Sequence, residues 1–438
     1  MYSNNSLCSM NIDILVYNIL QYMNFKELNI FLNTNKEFLN YKNKYIFYFN
    51  TILLKYKQEI NIFLNYKYVV IQTLIINLSL EKNILGNILN RIIVLNHLKL
   101  NQDIIDFDLL NINCLKTLEI ITFGVDCNCC IYSLANLINL KKIKFGYYFM
   151  QPINYISKLT NLEIIHFGDN FNCSIEGLST LNKLKELSFG YKFSMSIEPL
   201  VKLTNLEKIK FGSNFNSSIE PLSNLINLKD LQFGFCFTRS ITPLKSLKKL
   251  EKLKFTYNYY YSNQDLNTDL NIVSQLINLK DLQFGTYFNN SIELLSTNYN
   301  LEILKFGYKF NNIITPLNNL IKLKELTFGQ EFNKTIEPLS VLTNLEKLQF
   351  GFNFNQDISS LSTLINLKHL EFSNEFNQNI NELSSLNKLE ILYFGINFDN
   401  SILSLSKLIN LKEVKLKSSF EENIFVLKNV KTLKFICD

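Results

Sequence analysis

The chain has no tryptophan, only three histidines among 438 residues, and no long apolar run. Its most apolar stretch, residues 69–80, is broken by Gln72, Thr73 and Asn77 and falls short of the roughly 20 residues a membrane helix needs. No membrane contact is expected. The opening MYSNNSLCSM lacks a basic segment leading into an apolar one, so no secretory leader is expected either. The eight cysteines are scattered rather than spaced as a framework, which fits thiols in a reducing compartment. The expectation is a soluble protein of the cytoplasm, a host's cytoplasm if the source is a virus. Neither sign of charge dominates, since the net charge of +6 is a statement about solubility. Asn, Ile, Lys, Leu, Phe and Tyr abound, the bias that an AT-rich genome imposes, so part of the Asn and Lys content need carry no function.

Catalytic signatures are missing as well. No Gly-rich phosphate loop, nucleophile elbow or carboxylate pair stands apart from the general pattern. His97, His166 and His369 lie far apart, and Cys127-Asn128-Cys129-Cys130 is followed by no second cysteine pair. A structural zinc site wants four ligands, usually as two separated pairs. The chain is therefore expected to be no enzyme and to hold no metal or cofactor.

What is present is a repeat. Phe123, Phe145, Phe167, Phe189, Phe211, Phe233 and Phe255 stand 22 residues apart, and Phe284, Phe306, Phe328, Phe350, Phe372 and Phe394 resume the series after one longer step, with Leu416 as a weaker last member. A typical unit reads Leu228-x-x-Leu231-x-Phe233-Gly234, then Phe237, Ile241, Pro243-Leu244 and Leu247. The alternation in L-x-x-L-x-F is that of a short strand with one buried face. Recurring once per turn, such strands stack into a parallel sheet, about fifteen of them from residue 118 onward. The glycine is expected to allow a turn with positive φ. A second aromatic four residues after the first (Phe149, Phe171, Phe193, Phe215, Phe237 and on to Phe398) predicts an internal aromatic stack. The Asn that often follows it, as at Asn172, Asn216 and Asn333, is suited to satisfying backbone groups of a neighbouring coil. Pro199, Pro221, Pro243, Pro316 and Pro338 open the return segment.

Four residues before each of these positions lies a charge whose sign alternates: Glu119, Lys141, Glu163, Lys185, Glu207, Lys229, Glu251, Lys280, Glu302, Lys324, Glu346, Lys368, Glu390, Lys412. Stacked coils place opposite charges side by side, which fixes register more than it adds stability. A phosphate-binding stripe would need Lys or Arg on consecutive turns. No nucleic acid is therefore expected as a partner. Two positions earlier runs Asn139, Asn161, Lys183, Asn205, Asn227, Lys249, a period of three turns for which recent duplication is the simplest source.

The run Phe215-Asn216-Ser217-Ser218-Ile219-Glu220-Pro221-Leu222 resembles the FNIP repeat, a relative of the leucine-rich repeats, and Phe332-Asn333 through Pro338-Leu339 matches equally well. The resemblance covers about three-quarters of the chain, and departs from the pattern at Cys127, which replaces a Phe, and at Leu416-Lys417. It implies a solenoid with one short parallel strand per 22-residue leucine-rich-repeat-like turn.

Residues 1–66 carry no repeat and read as three helices: a first capped by Asp13, a second begun by Asn24 with Glu27, and a third from Lys36 to Leu54. Their order is similar to that of an F-box, although its usual Leu-Pro opening is absent and Asn11-Ile12 stands there. That resemblance implies docking on the Skp-type adaptor of a cullin-type ubiquitin ligase, with Ile14, Leu15, Ile19, Leu20, Leu28, Phe31 and Leu32 divided between module core and adaptor contact. The alternative is that these helices only cap the open end of the solenoid. Residues 67–117 read as degenerate capping repeats, and 118–438 as the regular solenoid. Candidate contacts for a target protein are the large residues two after Phe, namely Tyr147, Tyr191, Phe235, Tyr308 and Phe352, if they do not simply pack over neighbouring turns. Tyr257, Tyr259, Tyr260 and Tyr261 in the longer step are the other candidates. The implied function is a ligase's substrate receptor that works by proximity, against a stand-alone interaction scaffold.

Overall fold

A computed structural model describes residues 27, 30, 46–77, 80, 82–100, 113–256, 269–420, 424–428 and 430–436. The chain divides into two units, Met1–Met195 and Ser196–Asp438.

In the first unit the described part opens with β1 (Ile46–Leu54), β2 (Tyr68–Ile76) and β3 (Ile92–Leu100), joined by the helices Lys57–Phe63 and Lys82–Leu89. Four shorter strands follow: β4 (Ile120–Phe123), β5 (Lys142–Lys144), β6 (Ile164–His166) and β7 (Glu186–Ser188). Each pairs in parallel with the next, and Leu98, Ile121, Ile143, Ile165 and Leu187 form one inward column. The strand patterns read at residues 71–76 and 95–100 are present in β2 and β3. The third helix, expected to reach Leu54, is corrected by β1: residues 46–54 are a strand in register with β2. Its inward residues Phe47, Phe49, Ile52 and Leu54 are spaced for extended backbone, and a neighbouring strand satisfies a backbone that local periodicity alone left undecided.

The second unit has eleven strands in its described residues, from Lys208–Lys210 to Thr432–Ile436, again parallel and in chain order. The longer step changes nothing in register, for Lys252 pairs with Asp281 as directly as with Asp230. Residues 257–268, within the longer step, lie outside the described ones.

Within each coil the inward residues recur every three positions before the strand. Leu134, Leu137, Leu140 and Ile143 lead to Phe145, all buried. Three-residue spacing suits the tight 3-10 turn, and the return segment forms one in coil after coil, as at Tyr132–Asn136 and Glu220–Asn224. Proline sits in the first turn of five of them, where its missing N–H costs nothing. The aromatic stack is present in both units. Phe145 and Phe167 lie 5.2 Å apart at 4°, and Phe328 and Phe350 5.5 Å apart at 6°. Each ring also meets the second Phe of its own coil, Phe167 with Phe171 at 4.0 Å. Burying each such ring is worth about 1.5–3 kcal/mol.

The glycine after Phe has a different reason from the one its sequence position suggested. Gly146, Gly168, Gly190, Gly234, Gly307, Gly329 and Gly351 do not lie at positive φ; instead a Cβ on Gly146 would lie 1.6 Å from the Gly124 carbonyl oxygen, and one on Gly329 1.7 Å from that of Gly307. Coils stack so closely here that only a hydrogen fits.

Candidate protein-interaction surface

The outward side of the coils is built from three kinds of side chain: aromatics in the turn after Phe-Gly, polar residues on the strands, and charge and Asn rows at the strand entrance. Each arises because the inward positions are committed to the core, leaving the residues between them to face out.

In the turn, Tyr147, Tyr191 and Phe352 are 45%, 47% and 41% exposed, whereas Phe235 and Tyr308 are half-buried. Two of the exposed members, Tyr191 and Phe352, have a polar residue on the coil before them that ties down their backbone. The Tyr191 amide donates to Asp169 Oδ1 at 3.1 Å, and the Phe352 amide to Gln330 Oε1 at 2.9 Å. Tyr308 carries the Lys309 ammonium 5.4 Å from its ring centre, and Lys309 is ion-paired with Glu331. Tyr148 and Met150, both exposed, enlarge the patch around Tyr147, whose ring meets that of Tyr148 at 4.8 Å. Sequence reading passed over these two; their place in the same turn as Tyr147 was the available signal. Tyr257, Tyr259, Tyr260 and Tyr261, and the adaptor candidates Ile14, Leu15, Ile19, Leu20, Leu28, Phe31 and Leu32, lie outside the described residues.

On the strand face of the first unit, His166 Nε2 meets Glu186 Oε1 at 3.1 Å and His97 Nε2 meets Thr122 Oγ1 at 3.0 Å. Both imidazoles are held below the usual histidine range, first by burial; nearby lysines add to this at His97, while Glu186 opposes it at His166. In the second unit Asp281 has a side chain only 7% exposed and binds Lys254 at 2.7 Å, with Lys252 at 3.7 Å. Tyr393 donates to Glu413, which pairs with Lys434, and the ammoniums of Lys415 and Lys434 lie within 6 Å of the Tyr393 ring centre, at 5.8 and 5.7 Å. This face mixes both signs of charge at short range.

At the strand entrance the alternating ladder forms ion pairs. Each lysine reaches back to the glutamate of the preceding coil: Lys141 to Glu119, Lys185 to Glu163, Lys324 to Glu302 and Lys368 to Glu346, all at 2.7 Å. The Lys185 ammonium holds the Glu163 carboxyl below the usual range. The three-turn row beside it also has a physical part. Asn161 donates to the Ile138 carbonyl at 2.9 Å, and Lys183 donates to the Asn161 oxygen left over, at 2.7 Å. The second unit repeats this at Asn300 with Lys322 and at Asn366 with Lys388. An amide that spends its NH2 on a carbonyl keeps a free acceptor, and lysine on the next coil fills it. A third row follows the stacked phenylalanines. Asn311, Asn333 and Asn355 each accept from the backbone amide one coil on, at 3.0 Å. These rows account for much of the Asn content as coil-to-coil fasteners.

No protein-family model matches the chain, and no curated protein matches it. Solved structures do. A leucine-rich-repeat protein of Leptospira interrogans aligns over 81% of this chain and 93% of its own with a TM-score of 0.63 at 18% identity. The fold is a leucine-rich-repeat solenoid. An internalin of Listeria monocytogenes covers 74% of this chain and 88% of its own at 21% identity, TM-score 0.52. A chain of the Toll–Spatzle complex of Drosophila covers 85% of this one and 55% of itself at 13% identity, TM-score 0.60. In leucine-rich-repeat terms, the mixed-charge strand face and the Phe-Gly turns are successive strips of each coil's outer surface. Among the described residues no helix is long and apolar enough to cross a membrane.

Proposed function

We propose that this chain is a non-catalytic protein-binding scaffold whose repeats hold a target through the Phe-Gly turns and the adjoining strand face. The observation that carries the reading is the exposure of Tyr147, Tyr191 and Phe352 on a backbone tied to neighbouring coils by hydrogen bonds, through the Tyr147 carbonyl and through the Tyr191 and Phe352 amides. Rigid, solvent-facing aromatics lose little entropy on binding and are the side chains on which protein interfaces most depend. The strand face suits a protein better than a polyphosphate, because Asp281 and Glu413 sit among its lysines and interrupt any continuous basic track.

The finer reading, a substrate receptor of a cullin-type ubiquitin ligase, rests on the F-box resemblance of residues 1–66. The N-terminal segment would hold the Skp-type adaptor while the repeats hold the target, so catalysis in other subunits acts at raised effective concentration. Co-purification of the full chain with a Skp-type adaptor, beside Leu20→Asp, tests it. Binding by the parent and its loss in the variant, with the circular dichroism of the repeats unchanged, supports the receptor. Failure of the folded parent to bind leaves the scaffold alone.

A further inference from the structure

Cys127 occupies the place where later coils put the second stacking phenylalanine, and like those rings it is buried. A small cavity is lined by Cys129 and Cys130 with Phe123, Ile131, Ser133 and Leu134. Two residues on, half-buried Cys129 turns back so that its Sγ lies 3.4 Å from Cys127 Sγ. Cys130 is exposed. The residue between the two neighbours is anchored. Asn128 Oδ1 accepts from the Met150 amide at 2.9 Å and from the Gln151 side chain at 3.2 Å. The loop is therefore held by the next coil while its two sulfurs sit in contact.

We propose that Cys127 and Cys129 are a reversible modification site, closing to a disulfide on exposure to peroxide. From 3.4 Å the sulfurs need to approach by a little over 1 Å to reach the bond length of about 2.05 Å, and Cys129, which lines the cavity, has room to move. Cys129, the more accessible of the two, is the residue attacked first. Its thiolate sulfur displaces water from hydrogen peroxide, so that an S–O bond forms, the O–O bond breaks and a sulfenic acid results. Cys127 sulfur then attacks Cys129 sulfur, the S–S bond forms, the S–O bond breaks and a second water leaves. The two thiols together lose two electrons and two protons, and one peroxide becomes two waters. A dithiol reverses the step by exchange through a mixed disulfide. In a reducing compartment the bond is transient, the behaviour of a sensor rather than a structural brace. Burial of Cys127 beside its partner favours capture of the sulfenic acid before it is oxidised further. The site stands independently of what the repeats bind.

The test treats the full chain with hydrogen peroxide, denatures it in N-ethylmaleimide and maps the tryptic peptide 117–141, which contains all three thiols. One maleimide, on Cys130, in place of three, a mass two hydrogens below that of the reduced peptide carrying one label, and return to three labels after dithiothreitol are the expected results. Cys130→Ser keeps the bond, and Cys129→Ser abolishes it. Three labels after peroxide, a bond mapped to Cys129 and Cys130, or a loss that dithiothreitol does not reverse would each overturn the proposal.

Discussion

Two stretches of the first unit solve the same stacking problem differently. In β1 and β2 the inward residues are spaced two, three and two apart (Phe47, Phe49, Ile52, Leu54; Val69, Ile71, Leu74, Ile76), and nine residues stay extended in each. From β4 onward the spacing before the strand is three throughout, and only three or four residues pair. The return segments differ in the same sense. Leu85, Ile88 and Leu89 follow the three-and-four spacing of an α-helix, and Ile153, Ile156 and Leu159 the strict three of a 3-10 turn. The period of the apolar residues thus sets how much of each coil is strand. β3 lies between the two, with Ile92, Leu95, Leu98 and Leu100 inward, and joins one regime to the other.

The sharpest way to break this contrast is to remove a ring that only the later coils possess. Phe171→Ala opens a cavity in the stack and should cost about 3–5 kcal/mol, read from chemical denaturation. A cost near 1 kcal/mol would show that the rings fill space without holding the coils. Next come two glycines with opposite prospects. A Cβ at Gly168 would lie 1.8 Å from the Gly146 carbonyl oxygen, and one at Gly86, in the helical return, meets nothing within 4 Å. Gly168→Ala should lose about 2–3 kcal/mol and Gly86→Ala gain about 0.5–1 kcal/mol. Equal effects in the two would sink the close-stacking account of the Phe-Gly turn.

A gain below the Gly168 loss is expected where a coil departs from its own period. Asn298 stands in a leucine column of the second unit and is buried, its NH2 bonded to the Val273 and Leu276 carbonyls at 3.1 and 3.3 Å while its oxygen finds no hydrogen-bond partner. Those carbonyls also accept from the backbone amides of Leu276 and Leu279, so Asn298→Leu strands neither and should stabilise by about 1–2 kcal/mol. A loss on thermal or denaturant unfolding would mean that the amide's bonds matter more than the apolar column.

The smallest effect is one of pH. His97 on β3 and His166 on β6 both have lowered pKa values, with burial the leading cause. Protonation therefore favours the unfolded chain. Their contribution is intact above the unfolded value of about 6.5 and is lost as pH falls below it. Melting temperature should drop between pH 7 and 5, with part of the slope removed in His97→Gln and part in His166→Gln. An unchanged slope in one of them would show that the two strand regimes bury their outward faces unequally.

Much of this was legible beforehand. The coil count after residue 118, the inward positions, the aromatic stack, the Asn row after the second Phe and the sign of every ladder charge follow from residues that recur at fixed spacing, because in a stacked repeat the residue 22 positions away is also the nearest neighbour in space. The Asn and Lys row at the strand entrance was not read that way. The candidate surface was legible only in part. Tyr147, Tyr191 and Phe352 were identified, but their exposure, and the partial burial of Phe235 and Tyr308, depends on the neighbouring coil's side chains.

The sequence by itself determined a parallel repeat and which residues line it, since periodicity is a local signal that every coil restates. Tertiary structure alone decided that residues 46–54 join the sheet rather than a helix, that glycine answers to a carbonyl one coil away rather than to its own φ, and that Cys127 and Cys129 meet. Each of these is settled by atoms that local sequence does not mention: a partner strand's backbone, a neighbouring carbonyl oxygen, and the next coil's Met150 and Gln151 that hold the loop through Asn128.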